Sequence, residues 1–349
     1  MLKFIASTMT ALSFVTLTCA TTVQAEDDEY SFYQGKTISF LVGYTAGGGY
    51  DTYTRTLARH IGKHIPGSPQ VVVKNVPGAG SLVLANQVAN TLPADGTAIA
   101  SIGRGMAFEP LLGNEQALYK PGEMNWLGSL NNETSLCVAW HESGVRNWQD
   151  LKAKSLTVGA TGAGSDPNLF PRVLSDMFGL KFDIIAGYPG GNDIMLAMER
   201  GEVMGRCGWS WSSAKSTRAD WIAQLNEGME QGKINILFQM SLKKHTDLPD
   251  VPLVTELAET EKQRQVLSLL FARQVMGRPL VAPPGVPEAR VAMLRKAIAA
   301  TVEDPEFLQD ARNQNLGLNF VSGEEIQGIV REAYEYPADV IAVIKNAAM

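Results

Sequence analysis

Short apolar runs of strand length alternate with amphipathic stretches along most of this chain. Thr37 to Gly43 is one such run, and Asp51 to His64 places Leu57, Ala58 and Ile61 on one side of a predicted helix. A second strand is expected over Gln70 to Val76. The turn Pro77-Gly78-Ala79-Gly80-Ser81 then opens a helix to about Asn90 with Ser81 as its N-cap, and Pro93 to Gly96 interrupts the chain before a third strand, Thr97 to Ile102. Strands separated by helices predict a parallel sheet. The pattern recurs downstream: strands Leu156 to Ala160, Phe182 to Ala186 and Glu202 to Cys207 are separated by helices Pro167 to Phe178 and Asp193 to Glu199. Strand-like runs at Ser135 to Trp140 and Ile234 to Met240 bracket this second unit, and the crossings between units are expected near Cys137 and Ile234. Helices dominate the last third, at Glu261 to Arg273, Pro287 to Val302, Pro305 to Arg312 and Gly323 to Tyr334, and this third reads as scaffold.

Glycine-rich turns sit where strands give way to helices. The first reads Gly47-Gly48-Gly49-Tyr50-Asp51 and the second Thr161-Gly162-Ala163-Gly164-Ser165-Asp166, more than a hundred residues later. Such a turn lets backbone N–H groups approach a ligand, and the helix dipole favours negative charge there. Two of them suggest one anion held between two lobes. Asp51 is expected to cap the helix after the triple glycine. Arg104, in Gly103-Arg104-Gly105, is the charged candidate for a second ligand carboxylate, with a surface salt bridge as the alternative. Trp209 and Trp211 either line the cleft or pack beneath it.

Residues 1–25 carry one charge, Lys3, an apolar stretch from Phe4 through Leu17, and the small-residue end Val23-Gln24-Ala25. These features predict a secretory signal peptide cleaved after Ala25 and a periplasmic mature protein. Thr16-Leu17-Thr18 before Cys19 does not form a lipobox. The formal charge of −6, one unit more negative without Lys3, and the lack of a dense basic cluster argue against a nucleic-acid partner. Two cysteines remain after cleavage, Cys137 and Cys207. They bridge if their strands are neighbours and stay as buried thiols if not. His60 and His64 are spaced as helix neighbours without an apparent third ligand, which reads as a solvated face, so neither metal nor cofactor is expected. Gly35-Lys36-Thr37 lacks the leading glycine of a P-loop, since position 30 is Tyr30, and Gly162 to Pro167 lacks the last glycine of a dinucleotide fingerprint.

In order and spacing, several segments together resemble the substrate-binding receptors of tripartite tricarboxylate transporters, the Bug family. They are Phe32-Tyr33-Gln34-Gly35-Lys36-Thr37-Ile38, Gly47 to Asp51, Asn75 to Ser81, Ala94-Asp95-Gly96-Thr97, Gly162 to Ser165, Gly187-Tyr188-Pro189-Gly190, Gly201-Glu202-Val203 and Leu248-Pro249-Asp250-Val251-Pro252. Many family members carry prolines before the triple glycine, where this chain has Tyr44, Thr45 and Ala46. The resemblance implies a two-lobed α/β protein of the type II periplasmic binding topology, each lobe a mostly parallel sheet flanked by helices, with a ligand cleft between lobes. Residues 26–131 with 240–349 would form the first lobe and 132–239 the second. The implied function is a monomeric, non-catalytic receptor for a small carboxylate that serves integral membrane transporter subunits; a periplasmic enzyme on the same frame and a sensor subunit are the alternatives. The candidate ligand set comprises Gly47, Gly48, Gly49, Asp51, Gly78, Ala79, Gly80, Ser81, Arg104, Thr161, Gly164, Ser165, Asp166, Tyr188, Gly190 and Trp209.

Overall fold

The computed structural model describes residues 31–222 and 233–348; the predicted signal segment 1–25, its cleavage after Ala25 and Cys19 lie outside the described residues. The first lobe opens with β1 (Thr37–Val42), α1 (Gly49–Ile61), β2 (Gln70–Asn75), α2 (Leu82–Asn90), β3 (Ala98–Ser101) and β4 (Asn125–Ser129). The chain then enters the second lobe through β5 (Ser135–Trp140), followed by β6 (Leu156–Gly159), α3 (Asp166–Phe178), β7 (Phe182–Ile185), α4 (Gly191–Glu199), β8 (Gly205–Ser210), α5 (Trp211–Thr217) and β9 (Ile234–Met240). After α6 (Glu261–Ala272) it returns to the first sheet with β10 (Pro279–Ala282). Helices α7 (Glu288–Glu303) and α8 (Pro305–Asn313), strand β11 (Val321–Ser322), and helices α9 (Gly323–Ala333) and α10 (Ala338–Ala348) complete the fold.

The two sheets share one logic. The first has the order β11-β4-β10-β3-β1-β2 and the second β7-β6-β8-β5-β9. In the first, β1, β2, β3 and β4 run one way against β10 and β11; in the second, only β5 opposes the rest. In each sheet the opposed central strand, β10 or β5, is the first to enter from the other lobe. The crossings are therefore the segments between Ser129 and Ser135 and between Met240 and Pro279. Cys137 and Ile234 lie within the second sheet, not at a crossing, because β5 and β9 pair along their whole length from Ser135↔Met240 to Trp140↔Ile234.

Alternation along β5 explains its central place. Leu136, Val138 and Trp140 enter one apolar cluster with α4, while Cys137 and Ala139 enter another with α3, and all six residues of the strand are buried. On the first sheet, Ile38 and Phe40 pack with Leu57 and Ile61 of α1 and Leu294 and Ile298 of α7. The C-terminal third does more than support the first lobe: α10 packs against α3 and α6, and Phe271 meets Phe170 edge-on at 5.2 Å. Cys137 and Cys207 form a disulfide between the neighbouring strands β5 and β8, which settles the alternative left open by the sequence. His60 and His64 face Asp310 and Asp304, at 3.0 and 2.8 Å, along the contact between α1 and α8. No helix among the described residues is long and apolar enough to cross a membrane.

Candidate functional site

Three helices start at one cleft between the lobes. Gly48 and Gly49 at the start of α1, Ser165, Asp166 and Pro167 at the start of α3, and Gly191 and Asn192 at the start of α4 all contribute to its wall. Each of these helices follows a strand's carboxyl end, and none of the N-cap residues Gly48, Ser165 and Gly190 caps its helix with a side chain. Their first-turn N–H groups and dipoles are thus directed at the cleft without a protein oxygen quenching them from the cap. Ser165 donates its hydroxyl to Gly162 O at 2.6 Å instead. Asp51 is the third residue of α1 and not its N-cap: it accepts from Gly47 N at 2.9 Å, and Arg55 and Asn75 hold its carboxylate. Gly47 takes φ 77°, which a glycine adopts without steric cost, so Asp51 and Gly47 together shape the triple-glycine turn. Burial works against the Asp51 charge, but Arg55, Gly47 and Asn75 hold its pKa below the usual carboxylate value.

Three arginines line the same cleft in unequal states. Arg104 donates to Asp166 Oδ2 at 2.6 Å, to Ser135 Oγ at 2.9 Å and to Ser210 Oγ at 3.2 Å, so its fork is taken up by protein groups. This corrects the expectation of a guanidinium open to a ligand carboxylate, because Asp166 of the second lobe already supplies one. Burial disfavours the Arg104 charge, and Asp166, with Tyr50 and Glu133, more than offsets this, leaving its pKa above the ordinary arginine value. Arg278 stacks over Tyr50 at 4.7 Å and Tyr53 at 5.0 Å, donates to Ser213 at 2.7 Å, and lies 3.4 Å from Glu133. Arg206 has one hydrogen-bond partner among the described residues, the carbonyl of Gly191 at 3.1 Å, and its buried Nε has none. Burial, with Arg104 and Arg278 nearby, pulls its pKa down to about 10. Tyr44, Tyr50, Met106, Met195 and Trp209 give the cleft its apolar faces. Tyr44 donates to Gly80 O at 3.2 Å, and burial pushes its phenol pKa up.

The lobes meet at the lip of this cleft. A Cβ on Gly162 would lie 2.2 Å from the carbonyl carbon of Ala79, so the second glycine turn rests directly on the Ala79-Gly80 backbone of the first lobe. Thr45 Oγ1 donates to Asp193 Oδ2 at 2.9 Å, and the Glu109 carboxylate packs on Gly164. The lobes are closed on each other. Glu109 is buried, accepts from Asn114 through Oε2 and leaves Oε1 unpartnered among the described residues; burial raises its pKa. A raised carboxyl pKa costs stability as pH climbs from the ordinary glutamate value of about 4.3 through the raised one. Glu109→Gln removes the ionisation, so its melting temperature relative to wild type is expected to be higher at pH 8 than at pH 4.5. A difference independent of pH would show that Glu109 does not ionise against its burial.

Of the candidate set, Gly48, Gly49, Arg104, Thr161, Ser165, Asp166 and Trp209 line the cleft. Ala79, Gly80 and Gly164 form the seam between lobes. Gly78 packs against Val83, Gly190 is the N-cap of α4 against Thr45, and Tyr188 packs beside Gly159. Ser81 does not cap α2; in the left-handed region at φ 87°, it accepts from Gly103 N through Oγ at 2.9 Å. Trp211 lies away from the cleft, donating to Asp247 at 2.9 Å. Sequence reading passed over Tyr44, Tyr50, Arg206 and Arg278. The available signal was an arginine in a buried strand between glycines, Gly205-Arg206-Cys207-Gly208, and a second at Gly277-Arg278-Pro279.

Residues 54–345 match the tripartite tricarboxylate transporter family receptor, TctC. A UPF0065 protein in the gbd 5′ region of Cupriavidus necator is 26% identical over 325 residues, covering 91% of this chain and 89% of the relative. Among solved structures, the periplasmic binding protein BugD matches with a TM-score of 0.70 at 22% identity, over 90% of this chain and 98% of that one. MatC from Rhodopseudomonas palustris, solved with bound malate, matches with a TM-score of 0.68 at 18% identity, over 88% and 99% of the two chains. An R. palustris protein with adipate gives 0.67 at 19% identity, over 88% and 97%. These likenesses show a type II periplasmic binding protein fold with two α/β lobes, in agreement with the strand orders above. Because the family match spans most of the chain and the fold agrees with it, the chain belongs to the TctC, or Bug, family of periplasmic solute-binding receptors of tripartite tricarboxylate transporters.

Proposed function

We propose that this receptor binds a small carboxylate between its lobes, closes over it without altering it, and presents it to the membrane subunits of a tripartite tricarboxylate transporter. The observation that carries this reading is the convergence of three helix starts without side-chain caps on one cleft, joined by Arg206, which has no carboxylate ion pair among the described residues. Backbone N–H groups, dipole ends and guanidinium groups all favour an anion, and none of them is a nucleophile or a base at neutral pH. Malate and adipate in the two R. palustris relatives support a small organic acid as the occupant. In this reading Gly48, Gly49, Thr161, Ser165 and Gly191 meet the ligand, Trp209 and Tyr50 flank it, and cleavage after Ala25 releases the mature protein. Residues 26–131 with 240–349 move as one lobe against 132–239.

Binding without turnover is the expected result. Native mass spectrometry of the purified protein should identify a retained organic acid, and excess of that acid should raise the melting temperature, as any ligand specific for the native state must. It should be recovered chemically unchanged. Steady conversion of the bound acid would replace the receptor with an enzyme, and the absence of stabilisation by any small carboxylate would overturn the reading altogether.

A further inference from the structure

Resting on that reading, we infer that Arg206 is the residue that makes the cleft select a ligand with two acid groups over the matching ligand with one. Arg104 is neutralised by Asp166 at 2.6 Å and Arg278 faces Glu133 at 3.4 Å, whereas among the described residues no carboxylate forms an ion pair with Arg206. A guanidinium does not shed its proton in a protein, so relief has to come from a counter-charge. Its surroundings sharpen the need. A Cβ on Gly191, the first residue of α4, would lie 2.8 Å from Arg206 Nη2, so the cation sits at the positive end of a helix dipole. Trp209, 5.8 Å away, offers a ring face but no negative charge.

The geometry divides the labour within the cleft. Gly48 and Gly49 of the first lobe and the start of α3 line the cleft, and in this proposal their backbone donors take one acid group. Arg206 projects from β8 on the second lobe, next to the α4 start, and its Nε remains to be filled. A monoacid satisfies the backbone donors and leaves Arg206 as it is; a diacid satisfies both. Within the protein Arg206 makes a single hydrogen bond, to Gly191 O, beside its ring contact with Trp209. The buried, unpartnered Nε is a cost that a second acid group beside it would reduce.

The test compares wild type with Arg206→Met and Arg206→Lys, using the straight-chain diacids from malonate to adipate and the monoamide of each, which keeps the length and shape but one charge fewer. For the diacid that binds wild type best, Arg206→Met is expected to lose about tenfold or more in affinity, as for a lost hydrogen bond to a charged group. The matched monoamide should lose less than about threefold, and Arg206→Lys should keep a preference for the diacid. The empty Arg206→Met protein should melt at or above the wild-type temperature, an outcome that a merely structural role for Arg206 does not give. Equal losses for diacid and monoamide, or no loss for either, would overturn the assignment while leaving the receptor reading intact. If no acid in the series binds wild type, Arg206 has no such role and the receptor reading itself fails for this ligand class.

Discussion

Gly162→Val is expected to weaken ligand binding more than a hundredfold while leaving each lobe folded. Gly162 follows β6 and is half-buried, and a Cβ built on it would stand 2.2 Å from the carbonyl carbon of Ala79, 2.3 Å from its oxygen and 2.5 Å from the nitrogen of Gly80. Those are backbone atoms of the other lobe, which cannot rotate aside as a side-chain tip would. Gly162 does not occupy the left-handed region, so within the second lobe the larger residue meets no backbone penalty. The clash exists only when the lobes meet. Apparent affinity scales with the fraction of molecules able to close, so driving that fraction to about 1% weakens binding about a hundredfold. Calorimetric titration with the retained acid reads the loss, and scattering should show a larger radius of gyration with ligand than in wild type. The melting temperature of the empty variant should stay within a few degrees of wild type. Wild-type affinity in the valine variant would mean that binding does not require the Ala79 and Gly162 turns to touch.

This seam also shows how far the sequence could be read. The glycine turns and the alternation of strands and helices follow from local chemistry, because a strand, a glycine turn and a helix start are contiguous signals, while the two-lobed plan came from the family resemblance. What Gly80 and Gly162 do is a relation between residues far apart: from the sequence Gly80 was a candidate ligand residue and Gly162 part of the second glycine turn, with nothing local to say that they meet. In the fold they touch each other, and the cleft opens behind them against α1, α3 and α4. Arg104 failed for a similar reason. Its approach to the cleft was legible from its place after β3, but its partner Asp166 comes from the other lobe, and no pattern within either segment announces that pairing. Strands β4, β10 and β11 were not distinguished at all. They are short, β11 being only Val321–Ser322, and their identity depends on the neighbours that pair with them. With β10 unrecognised, the last third looked like scaffold alone, and Arg278, one residue before that strand, was missed with it.

Removing the bridge between Cys137 and Cys207 is expected to cost the protein about 2–4 kcal/mol, seen as a melting temperature lower by roughly 5–15 °C for a unit of this size. The two cysteines are 70 residues apart, and the loop they close contains β6, α3, β7 and α4, most of the second lobe. Constraining so long a loop in the unfolded chain removes more entropy than constraining a short one. Both side chains are fully buried between β5 and β8, so the double substitution to alanine is preferable to serine, whose hydroxyls would be buried without partners. Function should be far less sensitive than stability. Cys207 adjoins Arg206 and lies two residues before Trp209, but ladder hydrogen bonds to β5 and β6 still fix β8 when the sulfurs are gone. Affinity for the retained acid at 25 °C is therefore expected to stay within about threefold of wild type. Thermal unfolding of the double alanine variant, beside wild type with and without reductant, measures the first effect, and calorimetry measures the second. A melting temperature unchanged by both treatments would show that the bridge does not hold the second lobe together. A large loss of affinity at full folding would show that it also sets the position of the cleft wall.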